Sequence, residues 1–182
     1  MVSPLNSRIF VHPELLLPSD CARIRAAIDS GAASPAEVYD ADTYRVDEDA
    51  RRAFEIEVGE DIINEVQGVF GRVRPQVAQF FGVALSGDEG PGFLRYRPGG
   101  FYGRHLDVSP EWDELFPRRI SLVLFLTSMG GQCEGGSLRF YLPDTFDVAP
   151  RAGTLVAFPA DVPHEVLPVT GGVRDVVVDW FF

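Results

Sequence analysis

The chain has 182 residues, 46% of them hydrophobic, with a formal net charge of −11 and a sequence pI near 4.6. That length suits one domain with a sizeable core, so the expectation is a single unit over residues 1–182, with helical support and the first strands in 1–91 and a β-rich core in 92–182. Such an acidic surface repels phosphate backbones and anionic lipid, which argues against nucleic-acid and membrane partners.

The opening stretch MVSPLNSRIF lacks the basic start and apolar core of a signal peptide, and no apolar run approaches the ~20 residues of a membrane span. A cytoplasmic protein is expected. The two cysteines, Cys21 and Cys133, form no CxxC pair and read as reduced thiols.

Residues 8–16 read as a short strand leading into a loop. Pro18-Ser19-Asp20 then predicts a helix start, with Ser19 or Asp20 capping orphan amides. The following CARIRAAIDSG puts Cys21, Ile24, Ala27 and Ile28 on one side and ends at Gly31. Residues 36–46 can hold a strand, although their alternation is poor. Helical spacing returns over 58–82, where Ile62, Ile63, Val66, Val69, Phe70, Val73, Val77, Phe80 and Phe81 recur. Pro75 is expected to break or kink this helix. It reads as scaffold, laying an apolar stripe on a sheet.

From Gly92 onward, short apolar or alternating runs are separated by Pro and Gly: FLRYR, FYGRHLD, RRISLVLFLTS, SLRFYL, GTLVAFP, HEVLPV and VRDVVVDWFF. Seven such runs predict a β-sandwich or barrel. The expected fold is mainly β, a double-stranded β-helix (jelly-roll) core buttressed by N-terminal helices. Pro98-Gly99-Gly100 is expected to join FLRYR and FYGRHLD as a hairpin.

Two of the three histidines stand out. His105 and Asp107 are two apart at the end of a strand, so both project from one face. His164 opens another strand just after Pro163. Two histidines and one carboxylate form the ligand set of non-haem Fe(II) oxygenases. The plainer alternatives are an ordinary hydrogen-bonded His105 and an Asp107 that caps a turn.

Arg174 adds a separate argument. In VRDVVVDWFF it shares a face with Val176, Val178 and Trp180, opposite Asp175 and Asp179. The acidic pair is expected in water, which turns the Arg174 face inward. An inward Arg is costly unless it meets an anion, and its planar fork suits a carboxylate. The alternative partner is an acid from elsewhere in the chain. For Arg174 to share the face of His164, Thr170-Gly171-Gly172 must form a three-residue hairpin loop, or a bulge must intervene.

Together these residues resemble the Fe(II)/2-oxoglutarate-dependent dioxygenases, in particular the prolyl 4-hydroxylase-like branch. The likeness rests on Tyr96, Gly99-Gly100, His105-Leu106-Asp107, Arg118-Arg119-Ile120-Ser121, Gly135-Gly136-Ser137-Leu138-Arg139-Phe140, His164, Gly172-Val173-Arg174 and Trp180, and extends to the SDCARIRAAI helix. The resemblance implies that His105, Asp107 and His164 hold Fe(II) and form the catalytic centre. It implies that Arg174 binds the distal carboxylate of 2-oxoglutarate, with the Tyr96 hydroxyl as a second donor; a core aromatic is the alternative for Tyr96. Hydroxylation by O2 would be coupled to decarboxylation of 2-oxoglutarate to succinate and CO2, with ascorbate a candidate reductant. Val176, Val178 and Trp180 would line the cavity.

There are departures. Arg174 stands where the family often has Lys, Phe125-Leu126-Thr127 where it usually has YLN, and Ser137-Leu138 where a Glu-Thr pair is common. These bear on the substrate, which can be a prolyl or other amino-acid residue or a small metabolite; size alone favours a small soluble one. The retained Asp107 disfavours a halogenase. Residues 108–117, with Trp112 and Phe116, are a candidate substrate lid, and 40–60 a second. An edge-strand or helix-mediated homodimer is compatible with the sequence. Two rival readings are a cupin-like metal enzyme that does not use 2-oxoglutarate and a non-catalytic jelly-roll binding module.

Overall fold

The computed structural model describes residues 8–40, 43–108 and 117–182. The first part of the chain holds β1 (Phe10–His12), α1 (Pro18–Ser30), β2 (Ala33–Pro35), β3 (Val38–Asp40), β4 (Thr43–Arg45), β5 (Arg51–Arg52), β6 (Phe54–Ile56) and α2 (Glu60–Phe81). Then come β7 (Gly92–Tyr96), β8 (Phe101–His105), β9 (Ile120–Phe125), β10 (Cys133–Gly135), β11 (Leu138–Tyr141) and β12 (Thr145–Val148). The remainder is β13 (Leu155–Pro159), β14 (His164–Val166), β15 (Val169–Gly172) and β16 (Arg174–Phe181).

Seven strands form an antiparallel sheet in the order β1-β13-β9-β16-β7-β6-β2, and five form a second in the order β12-β11-β14-β8-β5. On one face of the larger sheet, Phe93, Leu122, Leu124 and Val177 pack against Ile24 and Ile28 of α1 and Val66 and Phe70 of α2. On the other, Leu94, Val123, Phe125 and Val176 meet Leu138, Phe140 and Val166 of the smaller sheet. Each fully buried side chain of this kind contributes about 1.5–3 kcal/mol. Covered on both sides, β9 is buried at every position and reads ISLVLF, a continuous run rather than an alternation. The architecture is the mainly β jelly-roll sandwich with buttressing helices that the run of short strands predicts.

Several local expectations are corrected. Leu17, not Ser19 or Asp20, is the N-cap of α1, and no side chain caps it; Pro18 takes the first turn, where its missing N–H is no loss. The helix ends at Gly31 in extended rather than left-handed backbone, and the position takes glycine for lack of space, since a Cβ there would lie 2.2 Å from the Glu57 carbonyl oxygen. Helix α2 is not broken at Pro75. It runs on to Phe81 and closes on Gly82, whose φ of 67° is left-handed. Its buried stripe, Ile62, Val66, Val69, Phe70, Val73 and Val77, follows the predicted spacing. In place of one strand over 36–46, two short strands, β3 and β4, pair antiparallel.

Two expected hairpins are corners between sheets. Strand β7 pairs with β16 and β6, whereas β8 pairs with β14 and β5. The Arg97–Gly100 turn therefore carries the chain from one sheet to the other. The Gly100 N–H donates to the Arg97 carbonyl at 2.7 Å, and Gly99 has φ 84°, the pattern of a type II turn with proline at its second position. Nor is Thr170-Gly171-Gly172 a hairpin loop. It belongs to β15, which pairs with β10, and the chain crosses to the large sheet at Val173. Pro and Gly mark a reversal in sequence but not whether the flanking strands pair. Both cysteines are free and buried. No helix among the described residues is long and apolar enough to cross a membrane.

Candidate metal centre

Strands β8 and β14 are neighbours, and His105 and His164 are direct cross-strand partners with ring centroids 4.2 Å apart. Asp107 lies two residues past the end of β8, fixed by its backbone N–H, which donates to the Ala160 carbonyl at 3.0 Å. His105 Nε2 is 3.5 Å from Asp107 Oδ1, and His164 Nε2 is 3.7 Å from Asp107 Oδ2. One ligand atom from each residue falls within 4.8 Å of the others. Two metal–ligand bonds of about 2.1 Å span gaps of this size.

Both imidazoles are oriented from behind. His105 Nδ1 lies 2.8 Å from the Gly103 carbonyl and His164 Nδ1 2.9 Å from that of Val162. Each Nδ1 then carries the proton, which leaves the Nε2 lone pair free for a metal. The Ser121 hydroxyl donates to Asp107 Oδ2 at 2.6 Å. Burial alone would raise the Asp107 carboxyl, but His164, His105 and Ser121 outweigh it and hold the group ionised, well below the usual carboxylate range. Burial pushes His164 below its ordinary value, against the pull of Asp107. A neutral imidazole and an ionised carboxylate are the ligand forms a metal requires.

The three ligands face a cavity of about 390 Å³ that is also lined by Tyr96, Arg174, Val176, Val178 and Trp180. The fold thus brings His105, Asp107, His164, Arg174 and Tyr96 to the wall of one cavity. Arg174 is fully buried and pairs in register with Tyr96 on the adjacent strand. Its guanidinium carbon sits 4.8 Å from the Tyr96 ring centre and 5.3 Å from that of Phe125. Nε donates to the Gly136 carbonyl at 2.8 Å, while Nη1 has no partner among the described residues. Burial lowers its pKa, but a guanidinium stays cationic.

The reasoning that turned Arg174 inward is corrected. Asp175 and Asp179 do not face water; both are fully buried. Strand β16 is central and covered on both sides, so its acidic face meets the helices. Asp175 accepts from Arg95 Nε at 2.7 Å and Arg25 Nε at 3.1 Å. Asp179 accepts the backbone N–H groups of Gly90 and Trp180.

Some cavity residues were not legible. Tyr102 stacks on His105, with centroids 3.5 Å apart and planes 16° from parallel. Strict alternation puts these two residues on opposite faces. The register shift between β8 and β14, where Glu165 alone opposes Gly103 and Arg104, turns Tyr102 to the face of His105. The available signal was Gly103, a glycine inside a strand. Ser121, Arg118 and Arg51 were not marked by pattern as parts of a centre. Of the two lid candidates, residues 109–116, with Trp112 and Phe116, lie outside the described residues. From 40–60, Tyr44 and Arg51 line the cavity, as does Tyr39 just before them.

Residues 91–182 match the family described as the 2OG-Fe(II) oxygenase superfamily. Among curated proteins, the chain is 39% identical over 97 residues to a PKHD-type hydroxylase of Aliarcobacter butzleri, a match covering 50% of this chain and 42% of that protein. It is likewise 39% identical over 109 residues to a PKHD-type hydroxylase of Klebsiella pneumoniae, covering 56% and 47%. Each match therefore spans less than half of the relative's length. Among solved structures, a Pseudomonas putida prolyl-4-hydroxylase superposes with a TM-score of 0.76 at 28% identity, over 96% of this chain and 91% of that one. A Trichoplax adhaerens prolyl hydroxylase, solved in complex with a hypoxia inducible factor peptide fragment, shares the fold with a TM-score of 0.80 at 20% identity, over 98% and 85%.

Proposed function

The chain belongs to the 2OG-Fe(II) oxygenase superfamily, and on that premise we propose that it is an Fe(II)- and 2-oxoglutarate-dependent hydroxylase. Residues 1–182 act as one oxygenase unit in this reading. The observation that carries it is the trio of ligand atoms from His105, Asp107 and His164, with both Nδ1 atoms already engaged and the carboxylate held ionised.

The residues fit the cofactors. His105, Asp107 and His164, two imidazoles and one carboxylate, would hold Fe(II) at the wall of the cavity. Arg174, buried and cationic with no partner for Nη1 among the described residues, calls for an anion, and the distal carboxylate of 2-oxoglutarate supplies one. Tyr96, beside it on β7, offers the second donor. Iron with 2-oxoglutarate supplies the oxidative chemistry: the 2-oxo acid and O2 become succinate and CO2 while one oxygen atom enters a substrate C–H bond.

The protein's own groups hold and exclude. Ser121 orients Asp107. Gly103 and Val162 fix the histidine rings. Val176, Val178 and Trp180 keep the reacting space apolar. The substrate is a prolyl or other amino-acid residue, or a small metabolite; the similarity to prolyl hydroxylases supports the first. A cytoplasmic setting without nucleic-acid or membrane partners belongs to the same reading, supported by the charge of −11.

The test is anaerobic. Fe(II) and 2-oxoglutarate are added without oxygen, and the visible charge-transfer band of a chelated 2-oxo acid is sought. It should form in the wild type and weaken in Asp107→Ala and Arg174→Ala. Iron binding without a band would instead support a metal enzyme that does not use 2-oxoglutarate.

A further inference from the structure

We infer that the substrate carries a carboxylate and that Arg51 is its anchor, which adds a substrate class to the oxygenase reading and rests on it. Three arginines line the cavity: Arg51, Arg118 and Arg174. Arg118 is neutralised by Glu89, with Nε and Nη2 donating to the two carboxylate oxygens at 2.6 and 2.8 Å. Arg174 and Arg51 form no ion pair among the described residues. Arg174 answers to the distal carboxylate of 2-oxoglutarate. That leaves one more guanidinium in the same cavity without an anion among the described residues.

The setting of Arg51 favours a ligand over a packing role. Its Nη1 donates to the Glu37 carbonyl at 2.8 Å, and its guanidinium lies 4.7 Å from the centre of the Tyr102 ring. Tyr102 in turn stacks on His105. Arg51 is therefore held in place through one ring from a metal ligand, and a preorganised guanidinium binds carboxylate with less loss of freedom. The Glu37 side chain is exposed, and Glu37 gives Arg51 its carbonyl rather than its carboxylate.

Polar satisfaction points the same way. Among the described residues, the buried side-chain polar atoms without a partner include Arg51 Nε, Arg174 Nη1 and Trp180 Nε1. All three residues line this cavity, and all three atoms are N–H donors. A cavity whose orphans are all donors asks for acceptors, and two of those donors are charged. In a chain with 27 acidic and 16 basic residues, a site that concentrates unpaired cations selects anions that the rest of the surface repels. The carboxylate can belong to a small acid or to an acidic side chain of a peptide.

The experiment uses the full chain loaded with Zn(II) and saturated with 2-oxoglutarate, so that Arg174 is occupied. The readout is the Arg51 Nε–H signal in nitrogen–proton NMR, assigned by its loss in Arg51→Lys. Acetate is titrated against acetamide, and N-acetylaspartate N-methylamide against its asparagine analogue. A saturable shift at least about tenfold stronger for the charged member of either pair is expected, and the pair that shows it names the source. Saturation transfer to the charged probe, recorded in the same samples, should be lost in Arg51→Gln and persist in Arg52→Gln, whose side chain lies over Phe101 instead. Equal response to charged and neutral probes in both pairs overturns the inference, as does undiminished binding of the charged probes by Arg51→Gln. Saturation-transfer signals of 2-oxoglutarate, recorded in the same samples, report separately on the oxygenase reading. Their absence beside an intact acetate response would sink that reading and leave the Arg51 site standing.

Discussion

Tyr102 lies flat against His105, 3.5 Å between ring centres, because a bulge at Gly103 puts two residues three apart on one side of the strand. The stack fixes the imidazole in a way its single Nδ1 contact to Gly103 does not, since a ring can still pivot about one hydrogen bond. Tyr102→Ala should weaken metal binding about tenfold, the lower range for losing a group that supports a ligand. Tyr102→Phe should bind as the wild type does, because burial already pushes the hydroxyl up to about 12 and it plays no charged part. Chelator competition measures both; equal loss in the two variants would point to the hydroxyl instead of the ring.

Gly136 is held twice. Its φ is 70°, and a Cβ there would come within 2.7 Å of Arg174 Cδ, while its carbonyl accepts from Arg174 Nε. Gly136→Ala should destabilise the fold by about 1–2 kcal/mol through backbone strain. It should also displace the guanidinium and weaken 2-oxoglutarate binding at least about tenfold by calorimetry. Unchanged affinity alongside lowered stability would separate Gly136 from the cosubstrate site.

Asp175 ties the sheet to α1 through Arg25 and Arg95, and Arg95 also reaches Asp29 at 2.5 Å. Removing a buried acid strands its partners, so Asp175→Ala should cost about 3 kcal/mol, the low end for such a group because Arg25 is partly exposed. The exposed Arg8–Asp161 pair, at a similar 3.0 Å, should give under about 1 kcal/mol on Asp161→Ala. Urea unfolding decides; similar losses from both would mean that burial does not set the difference.

Asp179 makes stability depend on pH. Burial pushes its carboxyl up to about 7, against the backbone N–H groups of Trp180 and Gly90. The folded chain then keeps a proton that the unfolded chain releases above about pH 4. Unfolding free energy from this residue is therefore greatest below about pH 4, falls as pH climbs toward 7 and levels off beyond it, for a total on the order of 4 kcal/mol. Asp179→Asn should flatten that slope and be the more stable protein at pH 8. Parallel pH profiles for the two would refute the assignment.

What could be read in the sequence follows from where the information is stored. His105, Asp107, His164 and Arg174 are polar residues inside or at the ends of apolar strands, and burying such groups is costly enough to be legible. Alternation along β8 puts Tyr102 opposite His105, and the one cue that it fails there, the glycine at 103, does not say which neighbour the bulge turns inward. The burial of Asp175 was hidden because its partners lie 80 and 150 residues away. The turns at Pro98-Gly99 and Gly171-Gly172 were recognised as reversals, but whether strands pair or cross to another sheet depends on contacts made elsewhere, such as those of Gly99 and Gly100 with Val169.

The place of β16 bears on how the molecule comes to exist. It is the last strand in sequence yet lies between β7 and β9 in the middle of the large sheet. Until it arrives, those two strands have no common neighbour and the helices have no finished surface to dock on. A chain emerging from the ribosome therefore carries His105, Asp107 and His164 before the large sheet that faces them across the cavity is closed. Pairing over such distances along the chain is slow, on the scale of milliseconds to seconds. Closure of the large sheet and delivery of Arg174 become one late event, so the wall of the cavity opposite the histidines is completed last.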